Sequence, residues 1–177
     1  MPNYRRNRVP GGTYFFTVNL EDRRCDLLVR RIDALREAVR RVRAARPFVI
    51  DAWVVLPEYL HCLWTLPAND TDFPGRWRAI KAAFSQSVAR TEVEPSIPRR
   101  PGERGIWQRR YWEHTIRSES DYARHMDYIH FNPVKHGLVR AAHEWPFSTF
   151  RRCVARGYYP ADWAGGGDEP PEAGERE

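Results

Sequence analysis

Asp121, His125, Tyr128 and Asn132 are spaced four, three and four residues apart, so on a helix they share one polar face. A tyrosine within such a face has two readings. Its phenol, which ionises near ~10 when free, becomes a nucleophile if a metal or base draws off the proton. Alternatively it is a half-buried ring hydrogen-bonded to a neighbour. A second candidate lies upstream, where His61 follows Tyr59 by two residues in YLHCLWTLP. On a strand these two side chains point the same way, which is how a strand presents a pair of metal ligands. Only one of them is histidine, and a lone strand histidine is also an ordinary structural residue. Cysteine chemistry is not indicated: Cys25, Cys62 and Cys153 are odd in number, widely spaced and form no CxxC.

These residues need elements to position them. GGTYFFTVNL (11–20) reads as a strand after a double glycine. In 31–46, Ile32, Leu35, Val39 and Val42 share one helical face and Arg36, Arg40 and Arg43 another, with Pro47 closing the helix. PFVIDAWVVLP (47–57) and YLHCLWTLP (59–67) read as a hairpin. In its second strand Tyr59, His61, Leu63 and Thr65 face one way, and Leu60, Cys62, Trp64 and Leu66 the other. Trp77, Ile80, Phe84 and Val88 mark a helix over 73–94. EPSIPRRPGERG (94–105) reads as a basic loop and WQRRYWEHTIR (107–117) as a strand. A last helix opens at Ser118 and is expected to end at Pro133. The order β-α-β-β-α-β-α predicts an α+β ferredoxin-like sandwich, an antiparallel sheet with helices packed mainly on one face.

The 177 residues fit one domain, expected over 1–164, followed by an acidic disordered tail over 165–177. No apolar run approaches the ~20 residues of a membrane span, and the basic start lacks the apolar stretch of a secretory signal, so the expected location is the cytoplasm. The net charge is +6, while the last thirteen residues carry five acids and one base, which leaves +10 on the body. A basic body points to a polyanion, nucleic acid first, and the seven tryptophans would suit base stacking as well as a core.

LPEYLHCLWTLP, FPGRWRAIKAAF, WQRRYWEHTIR, DYIHFNPVKHGLV and WPFSTF, in this order, resemble the REP-associated tyrosine transposases, relatives of the single-tyrosine HUH transposases. The resemblance runs from Asn3 to Trp163. It implies a histidine–hydrophobic–histidine strand holding a divalent metal, Mg²⁺ or Mn²⁺. A polar residue one turn after the nucleophile completes that site. A helical tyrosine then attacks a phosphate of single-stranded DNA beside a folded repeat hairpin. The product would be a 5′-phosphotyrosine and a free 3′-hydroxyl, whose reversal on another end joins strands. Carried over, Tyr128 is the nucleophile, and His61 and Asn132 are metal ligands.

The sequence departs from this pattern at Tyr59, which stands where the family has its first motif histidine. Either the metal binds with fewer protein ligands, or another side chain such as His114 or Glu58 substitutes, or catalysis is impaired. For DNA the candidates are Tyr4, Arg5 and Arg6 at the start, Arg76, Arg78 and Lys81, Arg109 and Arg110, and Lys135 and His136 beyond the tyrosine. Arg36, Arg40, Arg43, Arg99 and Arg100 are further basic candidates. The resemblance leans towards a monomer. Three readings follow: a DNA strand transferase, an impaired DNA-binding protein of the same fold, and a ferredoxin-like RNA-binding module using sheet aromatics.

Overall fold

The computed structural model describes residues 6–92 and 101–165. Four strands, β1 (Thr13–Asn19), β2 (Val49–Val55), β3 (Tyr59–Thr65) and β4 (Trp112–Thr115), form one antiparallel sheet in the order β2-β3-β1-β4. This is the α+β sandwich expected. The two chemistry-bearing positions of β3 lie in the middle of the sheet, where Thr17 pairs with His61 and Asn19 with Tyr59.

Strand alternation divides the apolar residues between two cores. Tyr14, Phe16 and Val18 of β1, with Leu60, Cys62 and Trp64 of β3, enter the larger core. The helices α1 (Leu27–Arg30), α2 (Ile32–Ala45) and α3 (Phe73–Ser87) close it. Trp64 and Trp77 stack there at 4.3 Å between ring centroids, a pairing worth about 1 kcal/mol beyond the area it buries. Phe15, Tyr59 and Leu63 enter the opposite core, under α4 (Glu119–Lys135) and α5 (Phe150–Ala155). Three helices thus share one face, and the site-bearing helix covers part of the other. A one-residue slip of β3 would exchange these sets, so the pattern that builds the core also fixes which way His61 points.

Local signals account for most helix ends. Asp72 caps α3 by accepting from the Gly75 N–H at 2.9 Å. A Cβ at position 75 would lie 2.2 Å from an Asp72 carboxylate oxygen, so a larger residue there would displace the capping side chain. The helix stops at Ser87, short of the expected residue 94, as Val88 turns extended and seats its side chain in the core. Ser118 caps α4 through the Asp121 N–H at 3.1 Å. This helix runs on through Pro133 to Lys135. Proline removes the bond to the Ile129 carbonyl, but so near the C-terminus the loss is tolerated, and His136 N–H closes the end onto the Asn132 carbonyl at 3.1 Å. The segment expected as a strand over 107–117 is regular only at Trp112–Thr115, with a single bridge from Trp107 to Leu20.

The aromatic C-terminal part packs on β2. Thr149 N–H donates to the Trp53 carbonyl and the Trp145 indole to the Val55 carbonyl, both at 2.9 Å. The sheet's Phe15 and Phe16 are fully buried, one under each helical layer. An RNA-binding sheet needs such aromatics exposed, so the RNA-module reading loses its physical basis.

Candidate active site and nucleic-acid groove

The site is assembled by the central strand pair and α4. Thr17 on β1 places its hydroxyl 2.8 Å from His61 Nδ1, which fixes the imidazole at a fully buried position. Met126 and Ile129 anchor α4 in the core and bring the same helix's Tyr128 over β3. The Tyr128 ring lies 5.3 Å from the His61 ring and 6.2 Å from Phe15. Tyr128 is 7% exposed, and its phenol oxygen accepts from Lys135 Nζ at 3.1 Å. One turn beyond, Asn132 Oδ1 accepts from the Tyr59 hydroxyl at 3.1 Å. Tyr59 in turn lies 5.1 Å from His61 and 6.0 Å from His136. The Arg23 guanidinium covers the Tyr59 ring at 5.2 Å and donates to Asn19 Oδ1 at 3.2 Å. Two aromatic hydroxyls, an imidazole and an amide are thus gathered beneath a rim of basic side chains.

Residues 121 and 125 belong to a separate cluster. His114 on β4 donates through Nε2 to Asp121 at 2.9 Å, and the Arg117 N–H donates to the same oxygen. His125 donates through Nδ1 to the Asp121 carbonyl at 2.8 Å, leaving a buried Nε2 without a hydrogen bond. Burial pushes the Asp121 carboxyl up, but the bonds from His114 and Arg117 outweigh it and hold it below its ordinary range. Burial pushes the His125 imidazole down. The cluster latches α4 to the edge strand. Ligand atoms of the three side chains lie within 4.8 Å of one another. Phe15 packs against His125 at 4.7 Å and against His61 at 5.3 Å, so the two polar groups meet across its ring. The four-residue face read from sequence is therefore two sites in succession.

Across the sheet, α3 and the segment before β4 form a concave groove of about 840 Å³. Its lining includes Arg6, Arg78, Lys81, Arg109, Trp107 and Tyr111. Lys81 donates to the Gln108 carbonyl at 2.9 Å and lies 5.3 Å from the Tyr111 ring. Burial, with the Arg6 charge, pushes its ammonium down to about 8. Arg6 donates to the Tyr111 hydroxyl at 2.6 Å. Arg109 is paired with Glu103 at 2.9 Å.

No family model matches the chain. A REP-associated tyrosine transposase of Escherichia coli K12 is 53% identical over 165 residues, 93% of this chain and 92% of that protein. The chain belongs to the REP-associated tyrosine transposases. A Haemophilus influenzae relative is 41% identical over 169 residues, covering 95% of this chain and 96% of its own. A solved structure, a REP-associated tyrosine transposase bound to a REP hairpin, superposes with a TM-score of 0.87 at 51% identity, over 100% of this chain and 99% of that one. The transposase is a DNA-processing enzyme by this membership, and among the described residues no helix is long and apolar enough to cross a membrane.

Within this transposase the expected residues divide by position. Tyr128, His61, Asn132 and Tyr59 meet, with Lys135 and His136 exposed beside them. Arg6, Arg78, Lys81 and Arg109 gather in the groove, and Arg110 is exposed at its end. Arg76 is a correction. It is 2% exposed, and its guanidinium is committed to Asp70 at 2.7 Å and to the carbonyls of Arg46, Pro47 and Asp72, so it braces the fold and has no face for a phosphate. Arg36 and Arg40 are exposed on α2 and paired with Asp33 and Glu37 of their own helix. Tyr4, Arg5, Arg99 and Arg100, and the acidic tail from residue 166, lie outside the described residues.

Of the substitutes for the missing histidine, His114 is held by Asp121 in the separate cluster, and Glu58 pairs with Arg23 at 3.9 Å. As donors for a hard dication, His61 and Asn132 fit two of the three positions. The neutral phenol at 59 does not fit the third, and its O–H occupies the Asn132 oxygen. Arg23, Trp107 and Tyr111 were not anticipated. Arg23 sits in a loop whose sequence, EDRRC, has no periodicity to assign it a face. The two aromatics carry no sequence signal separating groove from core.

Proposed function

We propose that this transposase cleaves and rejoins single-stranded DNA beside folded repeat hairpins, with Tyr128 as nucleophile and a 5′-phosphotyrosine as the covalent intermediate. The observation that carries the reading is the Tyr128 phenol, held on α4 beside the His61 imidazole with its oxygen on a lysine ammonium. In the reaction the Tyr128 oxygen forms a bond to phosphorus and the bond to the 3′ oxygen breaks. The bond energy is kept in the phosphotyrosine, so reversal on another 3′ end needs no external source. His61, oriented by Thr17, and Asn132 would hold a Mg²⁺ or Mn²⁺ ion, which supplies Lewis-acid charge at the phosphate when bound. The α4 backbone keeps phenol and amide one turn apart, so both address a single phosphate.

The hairpin itself fits the groove lined by Arg6, Arg78, Lys81 and Arg109, where fixed cations meet the backbone and Trp107 and Tyr111 offer ring faces. A second reading, a DNA-binding protein with weakened cleavage, is favoured by Tyr59 alone. Incubation with a folded REP hairpin carrying a single-stranded flank, with Mn²⁺, tests both on a denaturing gel. A covalent adduct absent in Tyr128→Phe supports strand transfer. Tight binding without an adduct supports the second reading.

A further inference from the structure

We propose that Arg23 is a substrate-binding residue, whose guanidinium holds a phosphate of the single-stranded flank next to the one that Tyr128 attacks. The inference rests on the strand-transfer reading and deepens it, by adding a contact that guides the flank over β3. Arg23 lies in the loop between β1 and α1. The loop backbone is tied down. Leu20 N–H donates to the Glu58 carbonyl at 2.8 Å, Glu21 N–H to the Ile106 carbonyl at 2.9 Å, and Arg24 N–H to Asp22 Oδ1 at 2.9 Å. The side chain thus leaves from a fixed position and crosses the Tyr59 ring at 5.2 Å. Tyr59 connects it to the site, with its ring 5.1 Å from His61 and its hydroxyl 3.1 Å from Asn132 Oδ1. One aromatic ring therefore separates Arg23 from the groups around the attacked phosphate, which suits it to a neighbouring phosphate of the same strand.

The donor inventory separates this arginine from one that only braces the fold. Stacking on Tyr59 uses the flat face of the guanidinium and leaves its N–H groups available. Nη1 donates to Asn19 Oδ1 at 3.2 Å. Nη2 pairs with Glu58 at 3.9 Å, longer than a hydrogen bond, and Nε has no hydrogen-bond partner among the described residues. The side chain is 35% exposed, so an anion can reach it. Arg76 is the contrast: its three nitrogens are all committed, to Asp70 and to backbone carbonyls. A guanidinium with its position fixed and donors uncommitted is suited to phosphate oxygens, which accept from it in charge-assisted bonds. Asn19 sets the direction of the fork, because it ends β1 directly opposite Tyr59 in the sheet.

The test uses the full chain with Arg23→Met, which keeps an apolar stem over the Tyr59 ring and removes the charge, and Arg23→Lys, which keeps the charge without the fork. Tyr128→Phe is added to each so that no strand is cut. Fluorescence anisotropy over a range of salt then reads affinity for the REP hairpin with and without its single-stranded flank. Arg23→Met should weaken binding of the flanked hairpin about ten-fold, the effect of one lost charge-assisted hydrogen bond, and leave the bare hairpin within about two-fold. The slope of log affinity against log salt should fall by about 0.7 on the flanked hairpin, the value for one phosphate of a single strand, and Arg23→Lys should keep that slope. Uncharged methylphosphonate linkages are next placed one at a time along the flank. At one linkage beside the cleavage point the parent should drop to the affinity of Arg23→Met, and the variant should lose nothing further. Equal losses on flanked and bare hairpins, or a variant that loses as much as the parent at every linkage, would mean that Arg23 only supports the Tyr59 ring, and overturns the proposal. Absence of an adduct with Tyr128 in place, alongside an intact flank-specific loss, overturns the strand-transfer reading and leaves the phosphate contact supported.

Discussion

The Tyr59 hydroxyl donates to Asn132 Oδ1 at 3.1 Å, so the residue at the position expected to hold a histidine is bonded to the side chain expected to share a metal with it. The contact ties β3 to the last turns of α4 and uses an oxygen that a dication would need. Replacing the phenol with imidazole therefore changes two things together, adding a nitrogen donor and releasing an amide oxygen. Tyr59→His should tighten Mn²⁺ binding by about ten-fold or more and raise adduct formation on the hairpin. Calorimetric titration of both proteins with Mn²⁺ checks this, and equal affinities would mean that position 59 is not a ligand position.

Arg76 shows the opposite fate of a candidate. Its neighbours include Asp70, which the arginine bonds hold below the ordinary carboxylate range. Arg76→Met should cost about 3 kcal/mol, because it removes the buried guanidinium that pairs with Asp70 and donates to three carbonyls. Hairpin affinity of the folded fraction should stay within two-fold. Urea unfolding and a binding isotherm give the two numbers separately.

How much of this was legible in the sequence depends on whether the signal was periodic. Alternation in YLHCLWTLP fixed the facing of His61, and the apolar stripe read over 73–94 gave α3 but not its end at Ser87, because both patterns reflect one buried side. Spacing along α4 put Asp121, His125, Tyr128 and Asn132 on one face, yet could not show that β4 would take the first two and β3 the last two. Arg76 and Arg78 are equally basic in sequence. Two residues along a helix turn them to different sides, and the carbonyls that capture Arg76 come from 46 and 47, about thirty positions away.

Lys81 makes the groove sensitive to pH. Its ammonium is pushed down to about 8 by burial, so its charge is present at pH 7 and largely gone by pH 9. Hairpin affinity should fall a few-fold over that range, and Lys81→Arg should flatten the drop, since guanidinium stays charged. Fluorescence anisotropy at constant salt reads both curves. At fixed pH, Arg78→Ala should lower the slope of log affinity against log salt by about 0.9, the value for a single DNA phosphate that the protein no longer neutralises.

His130 sets an acid limit on stability. Burial pushes its imidazole down to about 3, while the unfolded chain titrates near the ordinary 6.5. Between those values the unfolded state binds the extra proton, so stability falls as pH drops below ~6.5, by up to about 1.4 kcal/mol per pH unit from this group. His130 also bonds Thr149 at 2.9 Å, so His130→Gln keeps a polar partner and removes the titration. Urea midpoints at pH 7 and pH 5 should lie closer together in the variant than in the parent.

The central claim is that the Tyr128 oxygen becomes joined to DNA phosphorus. The most direct measurement is mass spectrometry of the adduct formed with the REP hairpin, after digestion of protein and DNA. The account predicts a 5′-phosphate-linked nucleotide on the peptide containing Tyr128. The same mass increment on a peptide containing Tyr59, Tyr122 or any other residue, with Tyr128 unmodified, would contradict it.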